Sequence, residues 1–77
     1  MNLINKQMQK LHKFKLHYKY ARAYGDTDIQ TTYFNKIKDY FAEEIFGEFG
    51  YDTCNDSEKD FILTNVFKLL NEHCPDE

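Results

Sequence analysis

The chain has no tryptophan, one proline (Pro75), three glycines (Gly25, Gly47, Gly50) and two cysteines (Cys54, Cys74) in 77 residues. So few helix breakers fit an ordered helical chain, and no low-complexity tract interrupts it. Three scattered glycines also rule out a glycine-rich loop that cradles phosphate. The cysteines form no C-x2–4-C pair, which removes the usual framework of structural zinc. No apolar run is long enough to span a bilayer, and the N-terminus is too polar for a secretory signal. The expectation is a cytoplasmic chain with two free thiols rather than a disulfide.

Acid is missing from the first 25 residues. That segment carries Lys6, Lys10, Lys13, Lys15, Lys19 and Arg22, a charge of +6. The remainder holds all thirteen acids against Lys36, Lys38, Lys59 and Lys68, a charge of −9, and the net is −3. This asymmetry is the strongest pattern in the sequence. One account is electrostatic, a basic helix partly neutralised by the rest of its own chain. The other is functional, a basic element presented to a partner.

What is abundant is aromatic: seven Phe and six Tyr. A chain of this length makes one domain and buries only about 60% of its unfolded surface. Each buried Phe contributes about 1.5–3 kcal/mol. Pairing with a second copy would add to so small a core, so a homodimer is among the expectations.

The periodicity predicts an all-α fold, a small three-helix bundle with short loops and helices near 2–24, 28–49 and 57–74. The third stretch looks like the organiser. At about 100° per residue, Ile62, Leu63, Val66, Phe67, Leu69, Leu70, His73 and Cys74 fall within roughly 160°, wider than the usual stripe of about 100°. That width predicts a helix wedged between two neighbours. Asp56 or Ser57 is the expected cap, with Ser57 and Asp60 as a capping box, and Pro75 the stop. Phe61 points to the polar side.

The second helix has its core line in Phe34, Ile37, Phe41 and Ile45, with Tyr33 and Tyr40 along one edge. Lys38 must snorkel. Asp26, Thr27 or Asp28 caps it. Gly50 is the preferred end, with Tyr51 packing back on Phe46, and Gly47 the alternative. Residues 51–56 read as a polar loop. The first helix ends at Gly25 and is apolar on two sides. Ile4, Met8, Leu11 and Tyr18 share one face, with Phe14 at its edge and Lys15 and Arg22 intruding. Leu16, Tyr20 and Tyr24 form a second line nearly opposite.

Catalytic and metal chemistries find little support. His12 and His17 stand at i, i+5 and diverge on a helix. His73 and Cys74 are adjacent, and helical neighbours do not face each other. Asp52, Cys54 and Asp56 have the opening rhythm of a calcium loop, but Ser57 replaces its glycine and Leu63 its glutamate. The expectation is therefore no enzyme, no cofactor and no metal.

The remaining candidates are binding roles. Lys13, Leu16, His17, Tyr20 and Tyr24 make a tyrosine-rich surface among cations, a composition enriched at protein interfaces. The first reading is a protein–protein interaction module that contacts another protein through the first helix, with no membrane role. Small helical chains of this composition are common among adaptors, inhibitors and regulators carried by phages or mobile elements, a statement about size and composition alone. The second reading is nucleic-acid binding by the same Lys, Tyr and His side chains, on phosphates and bases. Against it stands a pI of about 5.5, where nucleic-acid-binding domains are usually basic as a whole.

Overall fold

A computed structural model describes residues 4–71. They form α1 (Asn5–Tyr24), α2 (Thr27–Phe46), a one-turn 3-10 helix (Tyr51–Thr53) and α3 (Asp56–Asn71). The protein is an all-α three-helix bundle, with no strand among the described residues.

Two residues join α1 to α2, and each has a physical task. Gly25 takes the left-handed conformation (φ 73°), which a side chain would strain. Its N–H donates to Arg22 O (3.2 Å), and that of Asp26 to Ala21 O (2.8 Å), the two bonds of a Schellman ending. Asp26 then caps the next helix, its Oδ1 accepting from the Ile29 N–H at 3.1 Å. So short a connection forces α1 and α2 antiparallel. Gln7 of α1 consequently reaches Glu44 of α2, Nε2 to Oε2 at 3.1 Å.

The element boundaries differ from expectation in four places. First, α2 stops at Gly47, not Gly50. Gly47 is left-handed (φ 66°), whereas Gly50 is extended (φ 177°). The Gly47 and Glu48 N–H groups satisfy the carbonyls of Glu43 and Ala42. Second, the segment read as a polar loop contains the 3-10 turn. It is held by Asp39, whose Oδ1 accepts from the Tyr51 N–H at 2.9 Å. Third, α3 is capped by Asn55 rather than Asp56 or Ser57. Asn55 Oδ1 accepts from the Glu58 N–H (2.8 Å), and Glu58 Oε1 accepts from the Asn55 N–H (2.9 Å). That reciprocal box is one the longer Glu can close and Asp60 cannot. Fourth, at the other end of the chain, Ile4 is already outside α1, its N–H bonded to Gln7 Oε1 at 3.0 Å.

The organiser is α2, not α3. Both other helices and the 3-10 turn pack on it. Its Ile37, Phe41 and Ala42 are buried with Leu11 of α1, Cys54, and Ile62 and Val66 of α3. The wide stripe of α3 does not mark a wedged helix: Phe67 remains 53% exposed, its ring 6.0 Å from that of Phe34. Phe61 covers the end of α2 instead, edge-on to Phe46 at 5.5 Å. Lys38 lays its ammonium over the Tyr51 ring, 4.3 Å from the centroid. Phe34 and Ile45 flank the core, partly buried. His73, Cys74 and Pro75, named above for the end of the third helix, lie outside the described residues.

Candidate functional site: the outer face of the first helix

The buried side of α1 is the line Leu11, Phe14, Lys15 and Tyr18. Leu11 and Lys15 are 1% and 2% exposed; Phe14 and Tyr18 are half-buried. Lys15 therefore does enter the interior, on its four-carbon stem. No wholly buried side-chain nitrogen or oxygen among the described residues lacks a hydrogen-bond partner. Ile4 and Met8, on the same side, stay exposed. The antiparallel register explains Ile4: with Gln7 opposite Glu44, it lies level with Gly47, where α2 has ended and offers no side chain.

Aromatic rings fasten this seam. Phe14 meets Tyr33 and Tyr40, each at 6.1 Å. Lys10 Nζ stands over Phe14 and Tyr40, 6.0 and 5.3 Å from their centroids. Tyr18 Oη accepts from Gln30 Nε2 at 3.2 Å. Burial, reinforced by the nearby Glu44 carboxylate, raises the Tyr40 phenol above its ordinary value.

The opposite side of α1 holds the expected contact residues, which separate into two groups. Tyr20 and Tyr24 are 61% and 85% exposed, and Lys13 is exposed. They occupy positions 13, 20 and 24, a span of about 40° on a helix. His17 is exposed too, but its ring already stacks on Tyr33 at 4.7 Å and 18°. Leu16 is half-buried. The outward surface is thus Lys13, Tyr20 and Tyr24, with His17 bridging to α2 and Leu16 at the margin.

Two concavities were not foreseen. One, about 530 Å³, opens where the C-terminal part of α1, the start of α2 and the end of α3 meet; Tyr18, Arg22, Gln30, Phe34 and Phe67 line it. It offers one guanidinium and, among the described residues, no carboxylate or imidazole. The other, about 600 Å³, runs between the N-terminal half of α1 and the last turns of α2. Lys6, Lys10 and Lys13 border it, with Ile4, Phe14 and Tyr40 supplying apolar surface. The i, i+4, i+7 spacing of the lysines was visible in the sequence. That they border a groove with Tyr40 required the helix pairing.

Cys54 is buried. Its Sγ donates to Gly50 O at 3.5 Å. Burial first, then the carboxylates of Glu58, Glu48 and Asp39 against the opposing Lys59, push the thiol up from its ordinary 9.0. A thiol so held stays protonated at neutral pH and is a poor nucleophile. Among the described residues no three His, Cys, Asp or Glu side chains stand as a metal-binding group, and no helix is long and apolar enough to cross a membrane.

Fold and surface together define a three-helix bundle with one helix basic and tyrosine-rich on its outer side. Comparison with family models, curated proteins and solved structures finds no match to the chain.

Proposed function

We propose that this protein is a non-enzymatic interaction module of the cytoplasm, an adaptor, inhibitor or regulator that grips another protein through the outer face of α1. The observation that carries this reading is the exposure of Tyr20 and Tyr24, 61% and 85%, on a helix without a single acid. Exposed tyrosine offers a large, stiff surface with a polar tip, and such residues dominate binding energy when a partner covers them. Lys13 adds steering toward an acidic partner surface.

The test pairs capture with stability. Tyr20→Ala and Tyr24→Ala should each weaken retention of the partner from a source-cell lysate by about tenfold or more, with Tm nearly unchanged. A large drop in Tm for Tyr20→Ala would place the ring in the packed interior and sink the reading.

A second reading, nucleic-acid binding, draws on the lysine-bordered groove, because Lys6, Lys10 and Lys13 on one side of α1 could track phosphates. Nuclease treatment of the lysate separates the two. Retention that survives nuclease favours a protein partner, and retention that collapses favours nucleic acid.

A further inference from the structure

We propose that the chain also binds a second copy of itself, the Phe49 ring of one copy entering the lysine-bordered groove between α1 and α2 of the other. Phe49 is 95% exposed, the most exposed large apolar side chain among the described residues. It sits on the short link after α2, between left-handed Gly47 and extended Gly50. At 95% exposure the ring stands out from the molecule on a short tether, with half-buried Glu48 before it and exposed Asp52 soon after, and with the Lys38 and Lys59 ammonium groups held over the intervening Tyr51 ring.

The groove is the complement of that knob. Its apolar surface comes from Ile4, itself 64% exposed, with Phe14 and Tyr40; Lys6, Lys10 and Lys13 border it. An aromatic ring would meet Ile4 and the margins of the Phe14 and Tyr40 rings that Lys10 overlies, and the carboxylates beside it would meet ammonium groups. The one acid in the lining, Glu44, already accepts a hydrogen bond from Gln7.

Position makes the match reciprocal. Glu44 lines the groove, and Phe49 follows five residues later, past the end of the same helix. Knob and groove thus lie at one end of the molecule. A twofold axis at that end sets each knob against the other copy's groove, an isologous contact that closes as a dimer and does not propagate. A second copy is favoured over a foreign partner because the acidic aromatic knob and the basic groove are both on this chain. Tyr20 and Tyr24 take no part, so this contact stands or falls apart from the role given to them.

The experiment is sedimentation equilibrium of the full chain over a hundredfold range of concentration. The mass should rise from monomer toward dimer, and added salt should weaken the rise. Phe49→Ala should raise the dissociation constant at least about tenfold with helical circular dichroism unchanged. Two charge-reversed variants provide the specific check, Lys6→Glu with Lys10→Glu, and Glu48→Lys with Asp52→Lys. Each alone should be monomeric, because its knob and groove carry like charge. Mixed one to one they should form a heterodimer, since both contacts again join opposite charges. A wild-type chain monomeric throughout would overturn the proposal, as would a dimer that persists in Phe49→Ala and in both charge-reversed variants. A monomer whose groove instead binds an acidic peptide bearing phenylalanine would assign the groove to a foreign partner and overturn it equally.

Discussion

Single side chains divide between those that hold the bundle and those that face outward. Ile37, Ile62 and Val66 are fully buried, and interior packing is dense enough that each lost methyl is felt. Ile62→Ala should destabilise the fold by about 2–5 kcal/mol, read as a lower urea midpoint at unchanged slope. Cys54 and Tyr40 predict a pH effect of definite sign. Both acids titrate higher in the folded chain than in the unfolded one. Their contribution is therefore complete below the unfolded values and is lost as pH rises through the folded ones. Urea midpoints should fall on going from pH 7 to above the ordinary thiol value of 9.0, and Cys54→Ala should blunt part of that fall. An alkaline loss identical in the variant would remove Cys54 from the account. Lys15 shows why a residue's type does not fix its place. The sequence marks it as an intruder on the apolar face of α1, and it stays on that face, 2% exposed.

At the scale of elements, caps and link lengths do most of the work. Asp26 ends one helix and begins the next, which fixes α1 against α2. The Asn55–Glu58 box starts α3. Asn55→Ala should lower stability by about 0.5–2 kcal/mol, measurable in a urea melt, whereas Ser57→Ala should change it little. Periodicity was enough for three helices, and the glycine for the Gly25 end. The local pattern prefers Gly50 to Gly47 and is wrong there, because the end depends on which glycine carries a positive φ. Nor could it foresee that Asp39 would accept from Tyr51 across twelve residues and wind the 3-10 turn. The apparent lead of α3 misled for a related reason. Stripe width measures how much of a helix is apolar, not how many neighbours cover it, and Phe67 is the part left uncovered.

For the whole molecule the charge asymmetry is the decisive quantity. Lys10 lies over aromatic rings, and Lys6 and Lys13 border an open groove, so part of the +6 of the first segment faces outward. A basic side on a chain of net charge −3 speeds encounter with an acidic surface, and salt screens it beyond about 10 Å at 0.1 M. If the partner is a protein gripped mainly by Tyr20 and Tyr24, affinity should change only a few-fold between 50 and 200 mM salt. A fall of about 40-fold, the amount expected if Lys6, Lys10 and Lys13 each neutralise one phosphate, measured by titration calorimetry or fluorescence anisotropy, would signal release of counterions and a nucleic-acid partner.

The sequence by itself determined the helical class, the core line of α2, and the pairing of cations with tyrosines on the first helix, because each is a matter of local period and composition. Only the tertiary structure decided which side of that helix is outward. Both of its sides carry apolar residues, and hydropathy alone cannot rank them. The two-residue link and the facing side of α2 draw in Leu11 to the core, Phe14 against Tyr33 and Tyr40, and Tyr18 against Phe34, which turns Tyr20 and Tyr24 to the surface. The same pairing makes a groove of lysines that, in the sequence, stand only at i, i+4 and i+7.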